Sequence, residues 1–320
     1  MPAYPPAPLS SRRLATIDLG SNTVRYLLVD VDASTGWEIV EGDQRVTRLG
    51  EGLAASGRLG PAPMARTAAA VGEYSERARR RGAGQIHIVA TSAVREAANG
   101  GDFAARLEQA TGVDVRIVSG EDEARLTVRG VRAGLRDLPS PLIVFDIGGG
   151  STEFILWRDG NVAMAVSLRL GVVPLAERYP FAGPVDWPRY GVMANEIAAQ
   201  LARELPPSLG DAAGGTLVGT AGTVTTLAAL DLDLAAYDAA RVQGHRLGRA
   251  AVDTQLRRLG ALTVEARAAL PCLEPGRADL IVPGLAIVTA VMDLVQAESL
   301  VVSDWSLREG IVAELVEGQC

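Results

Sequence analysis

Hydrophobic positions fall in dense short runs over residues 14–19 and 24–31, and a third, more alternating stretch covers 37–46. Apolar runs of this length, set close together, read as neighbouring strands of a meander. A helix-length amphipathic segment over 63–81 follows. Then come a strand at 85–90, a helical stretch near 102–110, a strand at 114–118 and a helix over 121–135. Alternation of strand and helix after a meander predicts a mixed α/β sheet. Residues 134–141, with Pro139 and Pro141, read as a linker, and beyond them the order starts again. Residues 142–147 form an apolar strand, 152–157 and 162–168 continue a second meander, and helices take over from about residue 186. The longest apolar run, 280–292, holds Pro283 and Gly284 between Asp279 and Asp293. It is too short to span a bilayer and predicts a buried helix.

The restart carries the most information. Asp18-Leu19-Gly20-Ser21-Asn22 closes the first apolar strand, and Asp146-Ile147-Gly148-Gly149-Gly150-Ser151 closes its counterpart 128 residues later. Each has the order strand, Asp, glycine-rich turn with a hydroxyl, then strand, as expected for two copies of one fold with a ligand cleft between them. A glycine-rich turn lets successive backbone N–H groups converge on a phosphate oxygen, and Ser21, Asn22 and Ser151 add side-chain donors. Asp18 and Asp146 would repel a bare phosphate, so their presence at these turns points to a bridging divalent ion with hard oxygen ligands, such as Mg²⁺. Either turn alone could be a plain hairpin; the pair is more specific. A third segment, Gly219-Thr220-Ala221-Gly222-Thr223-Val224-Thr225, follows an apolar run and opens a helix. The alternatives there are an anion site on unpaired helix N–H groups, with Gly222 and Thr223 at its centre, or a Thr-capped helix.

Composition narrows the chemistry. At about 150 residues per domain, 320 residues suggest two domains, and 48% hydrophobic with 22% charged positions excludes a fibrous or disordered chain. All 31 basic residues are arginine. A Walker-type phosphate loop, a protein kinase, a pyridoxal-phosphate enzyme and a Schiff-base lyase each need a lysine and are excluded. A net charge of -7 and only 4% aromatics argue against nucleic-acid binding, so an anionic ligand must meet a local positive site. Cys272 and Cys320 are too few for a disulfide framework and fit a reducing, cytoplasmic setting. Residues 1–11 lack the apolar core of a secretion signal and read as a disordered tail. His87, in a strand, and His245, in a loop, are too far apart to suggest a histidine metal cluster.

Six motifs occur in order: Asp18 to Asn22; Thr91-Ser92-Ala93-Val94-Arg95-Glu96-Ala97 with Asn99-Gly100; Ser119-Gly120-Glu121-Asp122-Glu123-Ala124; Asp146 to Glu153; Gly219 to Thr225; and Leu307-Arg308-Glu309-Gly310. Together they resemble the exopolyphosphatase and guanosine pentaphosphate phosphohydrolase family (Ppx/GppA), within the actin and sugar-kinase superfamily. The resemblance implies two ribonuclease-H-like α/β domains, one at 12–135 and one at 136–305, with an active-site cleft between them and a last helix, 306–320, packed back on the first. It implies in-line attack of water on a terminal phosphate. Glu123 matches the glutamate that activates the water, Arg95 an arginine that contacts phosphate, and Glu153 a further active-site carboxylate. Asp146, Glu153 and Asp18 match positions around a metal, Mg²⁺ with Mn²⁺ as the alternative. Gly20, Ser21, Asn22, Gly148, Gly149, Gly150, Ser151, Gly222 and Thr223 match phosphate-binding positions, and Arg25, just after the first turn, has an open role.

The implied activity is an exopolyphosphatase acting on inorganic polyphosphate. The alternatives are a guanosine pentaphosphate phosphohydrolase, a kinase of the superfamily, or a polyphosphate- or nucleotide-binding sensor without turnover. A homodimer is the implied assembly, with no nucleic-acid or membrane partner. Longer members carry extra C-terminal helical domains, so the expectation for a chain ending at Cys320 is saturation after a handful of phosphates. Asp122 stands where a second Glu is usual, and Trp305-Ser306 where Gly commonly precedes the last motif.

Overall fold

The computed structural model describes residues 13–32, 36–210, 212 and 214–317. The expected tail at 1–11 and Cys320 lie outside the described residues. The chain divides into a first unit that ends at Ala133 and is rejoined at Leu307, and a second unit, Gly134–Ser306.

The first unit holds β1 (Arg13–Leu19), β2 (Thr23–Asp32), β3 (Gly36–Val46), β4 (Gln85–Ala90) and β5 (Val115–Ile117), in the sheet order β3-β2-β1-β4-β5. β1 to β3 pair antiparallel, and β4 and β5 join parallel to β1. Every residue of β1 after Arg13 is buried, because helices cover both faces of a sheet containing parallel strands. On one face the helix Pro61–Arg80 starts on a proline, where the missing N–H is not needed, and ends in Arg77, Arg79 and Arg80, whose charges suit a helix C-terminus. On the other, the last helix, Leu307–Glu317, packs Val312 against Leu14, Leu27 and Val29 and packs Leu307 and Ile311 against Val89, Val118 and Leu126.

The second unit repeats the plan with β6 (Leu142–Ile147), β7 (Thr152–Arg158), β8 (Asn161–Leu168), β9 (Thr216–Thr220), β10 (Arg246–Gly248) and β11 (Ser299–Ser303), ordered β10-β11-β9-β6-β7-β8. A three-strand antiparallel meander followed by two parallel strands is the ribonuclease-H-like arrangement, present twice; β10 is an added antiparallel edge. The repeat reaches fine detail. The register shifts at Leu28/Val29 in the first meander and at Leu156/Trp157 in the second, again 128 residues apart.

The pattern reading had helices take over after residue 186, and the structure corrects this by inserting β9, β10 and β11. These strands have five, three and five residues, too few to show a period of two between helices. The apolar run at 280–292 is the helix Ile281–Leu294, buried on nearly all sides. No helix among the described residues is long and apolar enough to cross a membrane.

Candidate functional site

The turns after β1 and β6 have one geometry. Gly20 N–H donates to Thr23 O at 3.1 Å, and Gly148 N–H to Ser151 O at 2.9 Å. A Cβ would stand 3.0 Å from that carbonyl at Gly20 and 2.9 Å at Gly148, so only glycine lets the chain close this tightly. The turn carbonyls are engaged from behind. Ser21 O accepts from Gly50 N, Asn22 O from Thr47 N and Arg48 N, Gly148 O from Val172 N and Gly149 O from Val173 N. Among the described residues, the amides of Ser21, Asn22, Gly149, Gly150 and Ser151 donate to no protein group. Carbonyls tied back and amides left over make an anion-binding concavity.

Charge separates the two turns. Asp18 lies opposite Arg25 in the β1/β2 register, whereas Asp146 lies opposite Glu153 in the β6/β7 register. Directly opposed cross-strand residues share a face and interact, so the second turn places two carboxylates side by side. Glu153 is 1% exposed, and its Oε1 accepts from the hydroxyls of Ser151 and Ser167, each at 2.7 Å. Two buried or half-buried oxygen-donor side chains fit a hard divalent ion such as Mg²⁺, which keeps waters and substrate oxygens in its remaining positions. No cluster of three or more His, Cys, Asp or Glu able to hold a metal occurs among the described residues.

Glu123 sits in the first turn of the helix Gly120–Gly134. Ser119 and Asp122 cap that helix, with Asp122 N–H donating to Ser119 Oγ at 3.0 Å and Ser119 Oγ–H to Asp122 Oδ2 at 2.8 Å. The Asp122 carboxylate is therefore taken up by the capping Ser119 hydroxyl, and Glu123 is the acidic residue turned inward, 9% exposed. Arg95, on the short helix Ser92–Glu96, donates Nη1–H to Glu123 Oε2 at 2.8 Å and to Val118 O at 3.0 Å. Glu96 is occupied by Ser92 Oγ at 2.9 Å. The Nε and Nη2 donors of Arg95 bind nothing among the described residues, which leaves half of a guanidinium fork open to an anion.

The third segment opens the helix Ala221–Asp231. Thr220, at the N-cap, makes no side-chain cap bond, and Ala221 adopts φ 68, a left-handed conformation rare without glycine. Arg277 lies directly over this end: a Cβ on Gly222 would be 2.2 Å from its Nη1. Sequence reading missed Arg277. It stands more than fifty residues from Gly222, and the signal was only an arginine just before the last apolar helix. Leu307 to Gly310, by contrast, is a fastening, with Arg308 bonding buried Glu309 at 2.8 Å and Tyr26 O at 3.3 Å.

Of the histidines, His87 is buried in β4, and burial pushes its pKa down to about 4. His245 Nε2 lies 2.8 Å from Asp231 Oδ2. Cys272 donates to Leu234 O, and burial raises its thiol pKa.

Residues 28–318 match the Ppx/GppA phosphatase family. The chain is 34% identical over 319 residues to exopolyphosphatase 2 of Mycobacterium tuberculosis, covering 95% of this chain and 98% of that one. The Ppx/GppA family member of Aquifex aeolicus, at 28% identity, superposes with a TM-score of 0.79 over 96% of this chain and 99% of that one. An exopolyphosphatase from Cytophaga hutchinsonii shares the fold with a TM-score of 0.87 at 24% identity, over 96% of this chain and 98% of that one.

Proposed function

The chain belongs to the Ppx/GppA phosphatase family, and we propose that it is an exopolyphosphatase, releasing orthophosphate from the end of inorganic polyphosphate. The observation that carries this reading is the Arg95–Glu123 pair: a nearly buried carboxylate held at 2.8 Å by an arginine that keeps donors in reserve. Water attacks the terminal phosphorus in line, the P–O bond to the rest of the chain breaks, and the shortened chain leaves. Glu123 takes the proton of the attacking water. Arg95 donates its remaining N–H groups to phosphate oxygens while its Nη1 keeps the carboxylate in place.

Phosphoryl transfer asks for positioning and charge stabilisation more than covalent chemistry. The uncommitted amides of the two glycine turns, and the helix end under Arg277, meet that need without lysine. Asp146 and Glu153, opposed in the β6/β7 register, are the residues that would hold Mg²⁺; when bound, it would neutralise phosphate charge. Ser151 and Ser167 orient Glu153 for this task.

The test is phosphate release by the purified protein with Mg²⁺ on polyphosphate, guanosine pentaphosphate and ATP. The expected result is the highest kcat/KM on polyphosphate. A preference for guanosine pentaphosphate reassigns the substrate within the family, and tight binding without release from any of the three makes the protein a sensor.

A further inference from the structure

The helix that carries Glu123 is touched from behind by a residue nearly 190 positions further along the chain. Gly310, in the last helix, is buried against the helix Gly120–Gly134. A Cβ on Gly310 would lie 1.8 Å from Leu126 O, 2.6 Å from Leu126 C and 3.2 Å from Gly130 N. Leu126 follows Glu123 by less than one helical turn. We propose that Gly310 is a positioning residue for Glu123: its missing side chain sets how deeply the helix bearing the base seats in the first unit. The inference rests on the reading of Glu123 as the base.

Ordinary C–H···O contacts have C···O distances of about 3.3 Å or more, so any Cβ at 310 must push the two helices apart by roughly 1.5 Å. The contact cannot easily relax by tilting. Leu126 is clasped by Leu307 and Ile311 next to it, and Glu314 holds Arg116 and Arg129 at 3.1 Å each, one turn along. Arg95 would not follow the shift, because its element is fixed independently. A Cβ on Gly100 would lie 1.8 Å from Val94 O, and Asn99 brackets the amide and carbonyl of Leu59 at 2.8 and 3.0 Å. Displacing one end of the 2.8 Å Arg95–Glu123 bond moves the carboxylate away from both its arginine and the attacking water. A misplacement of about 1 Å behind a reacting group is enough to cost about 10²-fold in rate.

The experiment compares Gly310→Ala with Val312→Ala in the full chain, using polyphosphate and Mg²⁺. Val312 is on the same helix but packs toward the sheet, against Leu14, Leu27 and Val29. Its truncation weakens the helix without wedging it. Gly310→Ala is expected to lower kcat by about 10²-fold with KM within twofold, while Val312→Ala lowers Tm and leaves kcat within twofold. In a Glu123→Ala background Gly310→Ala should cause no further loss, because residues that act through one group are not additive. Folded Gly310→Ala with kcat within twofold of wild type, or additive losses in the double variant, overturns the proposal. If Gly310→Ala does not fold, Ile311→Phe overpacks the same interface and should show the same fall in kcat at constant KM; unchanged kcat is the contrary result. Failure of the underlying reading is seen separately, as Glu123→Ala keeping more than half of wild-type kcat.

Discussion

At the turn after β1, Asp18 faces Arg25; at the turn after β6, Asp146 faces Glu153. The backbones match down to the glycine that each needs and the carbonyl it would strike. The first turn brings opposite charges together and can balance itself. The second sets like charges across one rung of a ladder, an arrangement that destabilises a sheet unless a cation or hydrogen bonds offset it. Ser151 and Ser167 supply two such bonds to Glu153. One fold used twice has kept the tight glycine turn in both copies and set two carboxylates against each other in one. In the first unit, the buried acid that can take a proton stands elsewhere, on the helix Gly120–Gly134 with Arg95 as its partner.

This division of labour can be broken most sharply at Glu123. Glu123→Ala should lower kcat by about 10² to 10⁴-fold, the usual contribution of a general base, while the Mg²⁺ concentration for half-maximal activity stays within twofold of wild type. A changed Mg²⁺ requirement would show that Glu123 serves the metal instead.

The first unit carries a pH-dependent stability contribution through His87. Burial holds the folded His87 at about 4 against an ordinary 6.5, so on acidification the unfolded chain takes up a proton that the folded chain refuses. Stability from this group is therefore complete above about pH 6.5 and falls as pH drops toward 4, by roughly 3 kcal/mol in total. Guanidinium unfolding of wild type and His87→Leu between pH 7 and 4.5 measures it, and the variant should show the shallower pH slope. Equal slopes would place the proton elsewhere.

The second turn is sharpened by Ser167→Ala, which removes one of the two hydroxyls on Glu153. Outer partners of metal ligands are typically worth about 10 to 100-fold in metal affinity, so the half-saturating Mg²⁺ concentration should rise by that order while kcat at saturating Mg²⁺ is nearly kept. A Mg²⁺ titration of phosphate release reads both numbers. An unchanged midpoint would remove Glu153 from the metal.

The smallest effect tests the sameness of the two backbones. Gly20→Ala and Gly148→Ala press a methyl on equivalent carbonyls and should each cost about 1 to 3 kcal/mol, the usual range for a forced overpacking. Denaturation midpoints that differ widely between the two variants would mean that only one turn is rigid.

Much of this was written locally in the chain. The two Asp-Gly turns, the strands feeding them and the restart after 128 residues follow from apolar periodicity and from glycine at positions where a Cβ meets a carbonyl. Those are interactions among neighbours in sequence, and neighbours are what a sequence displays. The ordered motifs also placed Arg95 and Glu123 in the family pattern. Their bond, by contrast, joins residues 28 positions apart on separate helices, and only packing chose Glu123 over Glu96 as the partner of Arg95. The same holds for Arg277 above Gly222, for Ser167 reaching Glu153 from β8, and for Gly310 against Leu126. β9, β10 and β11 escaped for a related reason, since strands so short exist by virtue of the partner they pair with. Local sterics and periodicity determined which elements form and where the turns lie. Tertiary packing decided which side chains meet, because the partners of a buried charge or a missing Cβ are set by distance in space, and no local pattern encodes that distance.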